Sequence, residues 1–229
     1  MSGAPTNSSD DDSAGRSIWT RPHRGTRGPA PIHGRDAIVA AAVELADAGG
    51  LGAVSMRAVA TALGMAAGSL YRQLSSREDL LDLMVDRAVG ELAPYPEALG
   101  SWLDELLLVA RRQLALYRRH PWLSDAIGRR TAPGPNTLAY FDNCLRILQP
   151  LRCGAAAKFE AIAMVTGLVS LFARSEAASG SLAFDHVDFA AYPHLTAAFA
   201  APASPAPRDD LFDRAVRGVL TALLDPNPA

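Results

Sequence analysis

The chain is predicted to be all-helical. From Arg35 onward, apolar residues recur at helical spacing almost without pause. No run of Val, Ile and Thr alternates over the length of a strand, and no Asn-Gly or Asp-Gly pair offers a hairpin turn. With 229 residues, 49% hydrophobic and 20% charged, there is material for one large domain or a small one joined to a medium one. The formal net charge of −2 means that a polyanionic partner could be held only by a local basic patch.

The elements follow in order. Residues 1–33 are rich in Ser, Asp, Gly, Pro and Arg without apolar periodicity, and are expected to be a disordered arm bearing Arg16, Arg21, Arg24 and Arg27. Trp19 in that arm finds no explanation at this level. A first helix is expected over Arg35 to Asp47, stopped by Gly49 and Gly50. Ser55 caps a second helix reaching Leu63, and a third spans about Ala67 to Leu74. Ser75 to Glu78 reads as a capping box opening a fourth, which Pro94, Pro96 and Gly100 end. Further helices are expected over Ser101 to His120, after Pro121, over Asn136 to Leu148 and over Ala155 to Ala177. A less regular stretch containing Tyr192 leads to a last helix from Asp209 or Asp210 to before Pro226. Its apolar stripe is Phe212, Val216, Val219, Leu220 and Leu223.

Several classes of function have no residues to carry them. There is no Gly-rich phosphate loop, no metal-spaced His or Cys set and no nucleophile elbow, so neither an enzyme nor a cofactor or metal site is expected. Cys144 and Cys153 read as reduced thiols. The N-terminus lacks the apolar core of a signal peptide. The longest apolar stretch, Ala161 to Ala173, is too short to span a bilayer. A cytoplasmic protein without a membrane partner is expected.

The informative stretch is Val54 to Tyr71, which reads as helix, tight turn, helix. Ala60 is small where two helices would cross, and Gly64 falls where the turn calls for positive φ. Val59, Leu63, Met65 and Leu70 supply the apolar contacts. At this point an ordinary helical hairpin with a glycine turn explains the pattern equally well. The continuation, Leu70-Tyr-Arg-Gln-Leu-Ser-Ser-Arg-Glu-Asp-Leu-Leu81, resembles the segment that closes the DNA-binding domain of the tetracycline-repressor family. The resemblance covers about Arg35 to Val85. His120-Pro-Trp-Leu123, Pro135-Asn136 and Tyr192-Pro-His-Leu195 resemble the subfamily whose C-terminal domain is like that of the tetracycline repressor itself.

The resemblance implies a regulator with a helix-turn-helix DNA-binding domain at 34–80 and an effector-binding and dimerisation domain at 81–229. The third helix would enter the major groove. Arg57, beside Met56, could bond guanine in bidentate fashion. Ala67 and Gly68 offer only backbone or methyl contacts, Ser69 a base or phosphate bond, and Tyr71 a thymine methyl or sugar contact. Arg72, Gln73 and Arg77 would hold phosphates. Ala66 stands where a Ser cap is usual in the family. The arginines of the arm are either solvated or laid along the minor groove, and the groove is the favoured expectation.

Double-stranded DNA bearing a palindrome, bound by a homodimer, is therefore the expected partner. The helix over Ala155 to Ala177 and the final helix would form the dimer's four-helix bundle. A small, mainly apolar effector is expected, with Trp122, Tyr140, Asn143, Met164 and Phe172 as candidate lining residues. The function implied is that of a ligand-released repressor. The alternatives are a helical enzyme, or an interaction module whose helix-turn-helix reads no operator.

Overall fold

A computed structural model describes residues 18–20, 34–96, 100–126, 132–177, 189–200 and 210–224, and among these residues there are helices and turns but no strand. The first helix, α1 (Arg35–Ala53), starts after Gly34 with Asp36 in its first turn, where a carboxylate suits the positive end of the helix dipole. It continues beyond the expected stop. Gly49 remains helical, Gly50 breaks the helix with φ 69°, and one further turn carries the chain to Ala53. Only glycine takes that backbone conformation cheaply.

The next two helices are short: α2 (Met56–Ala62) and α3 (Ala67–Tyr71). Ser55 Oγ accepts from Ala58 N at 3.1 Å, which is the expected cap of α2. The cap of α4 (Arg77–Gly90) lies one residue later than expected. Ser76 Oγ accepts from Asp79 N at 3.0 Å, and Asp79 Oδ2 reaches back to Ser75 N at 3.0 Å. Two serines in succession, each three residues before an acid, leave the register ambiguous in the sequence.

Two helices of similar design follow, α5 (Trp102–Arg119) and α7 (Pro135–Ile147), with the single turn α6 (Leu123–Ala126) between them. Ser101 caps α5, whose acids Asp104 and Glu105 stand in the first turn and whose Arg118 and Arg119 stand in the last. Pro135 opens α7 at the position where a missing N–H costs nothing. α1 packs on α2 and α4, and α4 packs in turn on α6 and α7. Ile38, Val59, Leu70, Leu74, Leu80 and Met84 form the core around which α1 to α4 close.

The chain divides into two compact units, Met1–Arg152 and Cys153–Ala229. Within the first unit α4 packs on both α1 and α7 and so joins them. In the second unit α8 (Ala155–Ala177) packs on α10 (Leu211–Leu224), where Phe172 meets Phe212 edge-on with ring centres 5.2 Å apart. The stretch expected to be irregular contains a 3-10 turn, Phe189–Ala191, and a helix, α9 (Pro193–Ala200). Thr196 Oγ1 ties the two by donating to Phe189 O at 2.8 Å.

The buried stripe of α10 is Phe212, Val216, Leu220 and Leu224, with Val219 half-buried and Leu223 exposed. The apolar length of α8 also exceeds expectation, since Ala155–Ser175 is long and apolar enough to cross a bilayer by length and composition alone. Ala161, Val165 and Val169 are among its buried residues, and 22% of that stretch is buried.

Candidate nucleic-acid interface

The turn between α2 and α3 is built from small residues. Val59, Ala60 and Leu70 are buried, and Gly64 turns the chain with φ 62°. Met65 N donates to Ala60 O at 2.9 Å and closes the turn. Ala66 provides no side-chain cap to α3, as its chemistry dictates. The result is a short α3 whose buried anchor is Leu70 and whose other face lies open.

The residues expected to touch DNA divide into two groups. Arg57, Ala67, Gly68, Tyr71 and Arg72 are exposed, and Ser69 and Gln73 are half-buried. Tyr71 is 55% exposed, a high value for an aromatic ring. Arg72 Nη2 donates to Ser69 Oγ at 2.6 Å, so these two present one polar unit on the open face of α3. Met56 differs: it is only 6% exposed and serves the core rather than the surface. Arg77 is also engaged in the fold. Its Nε donates to Val54 O at 3.1 Å and its Nη2 to Leu51 O at 2.9 Å, satisfying carbonyls left open where α1 ends. Arg16, Arg21, Arg24 and Arg27 lie outside the described residues.

α4 is fastened at both ends. Arg77 holds its start to the end of α1, and Asp86 holds its later turns to the start of α7. Asp86 Oδ1 accepts from Thr137 N at 2.9 Å and Thr137 Oγ1 at 3.0 Å, and Oδ2 from Asn136 N at 3.2 Å and Asn136 Nδ2 at 3.1 Å. A carboxylate from α4 thus caps the N-terminus of α7, where two backbone donors and the helix dipole favour its charge.

A second connection crosses from α1 to the end of α5. Asp47 Oδ1 accepts from Trp122 Nε1 at 2.7 Å and lies 2.7 Å from His120 Nδ1. The other ring nitrogen of His120 lies 3.1 Å from Glu91 Oε1, and Arg119 pairs with Glu91 at 2.8 Å. A neutral imidazole has one N–H, so both contacts are hydrogen bonds only when the ring is protonated. Burial pushes the Glu91 carboxyl up, but its bonds from Arg119 and His120 outweigh that, and the net shift is downward. Trp122 was expected to line an effector site, and its indole instead binds the first helix.

The other effector candidates are distributed as follows. Tyr140 and Asn143 are buried on α7; the Tyr140 hydroxyl donates to Gln113 Oε1 at 3.3 Å. Asn143 Oδ1 accepts from Arg146, whereas its buried Nδ2 has no hydrogen-bond partner among the described residues. Met164 is 51% exposed on α8, and Phe172 stands against Phe212. Burial pushes the Cys144 thiol up to about 12, which leaves it unreactive. Among the described residues no cluster of His, Cys, Asp and Glu could hold a metal ion.

The fold and the open face of α3 define a helix-turn-helix protein with a helical body. The chain belongs to the tetR family: residues 38–84 match "Bacterial regulatory proteins, tetR family" and residues 93–223 match "Tetracyclin repressor-like, C-terminal domain". It is 40% identical over 161 residues to the HTH-type transcriptional repressor DrrR1 of Streptomyces coeruleorubidus, covering 69% of this chain and 59% of that one. It is 35% identical over 136 residues to an HTH-type transcriptional regulator of Saccharopolyspora erythraea, covering 59% and 57%. The matches thus span less than two thirds of either relative. Among solved structures, the TetR family protein ActR of Streptomyces coelicolor in complex with actinorhodin shares the fold. Its TM-score is 0.69 at 23% identity, over 85% of this chain and 97% of that one. The regulator SCO7222 of the same organism gives 0.64 at 26%, over 83% and 97%.

Proposed function

We propose that this chain is a sequence-specific DNA-binding transcriptional repressor that binds a palindromic operator as a homodimer and is released by a small, mainly apolar molecule. The observation that carries the reading is the open face of α2 and α3. Arg57, Ser69, Tyr71 and Arg72 stand there on a helix-turn-helix that buries every apolar residue it needs for its own fold. Arg57 supplies the forked donor suited to guanine, Tyr71 a ring for a thymine methyl, and Arg72 with Ser69 a phosphate contact. Ala67 and Gly68 let the backbone approach the groove closely. A relative that is itself named a repressor supports the sign of the regulation.

Dimerisation draws support from the second unit. Met164 and Leu171, seven residues apart on α8, and Leu223 on α10 are exposed apolar side chains that a second copy would cover. For Met164 this role fits better than lining an effector site.

Tyr140 and Asn143 are the residues proposed to meet the effector. An acceptor on the ligand would satisfy the buried Asn143 Nδ2, which otherwise costs stability. The route to DNA would run from α7 through Asp86 to α4, and from Arg77 to the end of α1. Linkage then requires ligand and DNA to weaken each other by one factor, on the order of 5- to 150-fold. The test is selection of bound sequences from random duplex DNA. An enriched inverted repeat supports the reading, and recovery of no common sequence would remove the operator from it.

A further inference from the structure

Ile18 and Trp19 stand in an N-terminal segment rich in Ser, Asp, Gly, Pro and Arg, and no helix-turn-helix needs them. Yet Ile18 is 3% exposed, within a turn over residues 18–20. Trp19 Nε1 donates to Ala132 O at 3.3 Å across a sequence separation of 113. The indole ring lies over Gly134, where a Cβ would collide with both that ring and the Asp86 carboxyl. Gly134 is the N-cap of α7, and Asp86 is the α4 carboxylate that holds the first turn of α7. The N-terminal segment therefore touches the chain at the junction through which α4 and α7 are fastened.

We propose that Ile18 and Trp19 form an intramolecular plug seated on the α4–α7 junction, so that the basic arm is anchored to the body and answers to that junction. The occupant of the seat is this chain's own N-terminal segment. Three features fit the pair to it. The glycine leaves room for a flat ring. The Ala132 carbonyl takes the indole's one donor, and the buried isoleucine side chain leaves water beside it in sequence.

Docking ties the chain at Ile18 and Trp19 as well as at the start of α1. Arg21, Arg24 and Arg27 lie between the plug and α1, on a length of chain that can span at most about 50 Å. Anchoring confines them to that reach and raises their local concentration near the head. The coupling is reciprocal. A shift of the first turn of α7 against α4 would unseat Trp19, and a seated Trp19 biases the junction toward the arrangement described above. The plug does not depend on the proposed operator binding; only its consequence for DNA does.

The experiment uses the full chain without DNA or ligand. Trypsin cleavage after Arg16 and Arg24 is followed by mass spectrometry in the wild type, Trp19→Ala and Ile18→Ser, with hydrogen exchange at Asn136 and Thr137 measured in parallel. Unseating the plug should speed cleavage at both arginines by about tenfold or more, because cleavage follows the population of the opened state. It should also speed exchange in the first turn of α7. Gly134→Ala fills the seat while leaving the arm intact and should reproduce the cleavage pattern; if that variant fails to fold, Ile18→Ser carries the same test. Equal cleavage of wild type and Trp19→Ala would overturn the plug. Faster cleavage with unchanged exchange at Asn136 and Thr137 would overturn its coupling to the junction.

Discussion

Asp86 on α4 accepts two hydrogen bonds from Thr137 on α7, from the backbone N–H at 2.9 Å and the hydroxyl at 3.0 Å, across 51 residues of sequence. With the two bonds from Asn136, the carboxylate is surrounded by donors and buried. Asp86→Asn places an amide N–H among those donors. The substitution should lower stability by about 1.5–3 kcal/mol, the usual cost of losing a bond to a charged group. Urea unfolding measures this, and an unchanged midpoint would show that α4 and α7 do not rely on the cap.

Arg57 and Arg77 both belong to the helix-turn-helix domain, but Arg57 is exposed whereas Arg77 bonds two backbone carbonyls of the fold. Arg57→Ala should weaken operator binding by about 1–3 kcal/mol and relax preference at one base pair in each half-site. Affinities for the selected sequence and for random duplex decide the matter. An equal loss on both would make Arg57 a phosphate contact.

Arg77→Ala should act differently, since its guanidinium already bonds Leu51 O and Val54 O. Thermal unfolding should reveal a loss of about 1–3 kcal/mol. DNA affinity should fall only as far as the head unfolds, with the slope of log K against log salt unchanged. A phosphate contact would instead flatten that slope by about 0.9.

The Glu91 carboxylate gives the Asp47–His120–Glu91 connection a sign with pH. Its folded pKa lies below the ordinary value, so its contribution is present above the unfolded pKa and is lost as pH falls through the folded one. Glu91→Gln should therefore unfold less steeply with acid than the wild type over that window. The effect should be small, because the Glu91 side chain is 42% exposed. Parallel acid titrations of the two proteins would refute the assignment.

Val219→Asp with Leu223→Asp tests the dimer without disturbing the core of the protomer, because the buried stripe of α10 runs through Phe212, Val216, Leu220 and Leu224 instead. Sedimentation should report monomers, since each new carboxylate would be left unpaired in an apolar interface. A double variant that stays dimeric would put the interface elsewhere.

The sequence spoke most clearly where the physics is local. Ser55, Ser101, Gly64 and Pro135 announce caps and turns through chemistry confined to a few residues. α9 also carried such a signal, a proline at its first position, which the reading of that stretch as irregular passed over. The contacts that the sequence did not announce join distant residues. Trp122 finds Asp47 at a separation of 75, Trp19 finds Ala132 at 113, and Arg77 finds Leu51 at 26. No periodicity in one chain announces such pairs. Met56 was misleading for another reason, since its neighbour Arg57 is on the open face of α2 and Met56 itself turns inward.

The most direct test of the central claim is the affinity of the protein for its selected sequence compared with a duplex in which one half-site is scrambled. The account predicts two protomers on the intact repeat, a loss of about tenfold or more on scrambling, and a further loss for Arg57→Ala on the intact site. Equal binding of the intact and scrambled duplexes, with Arg57→Ala indistinguishable from wild type, would contradict it.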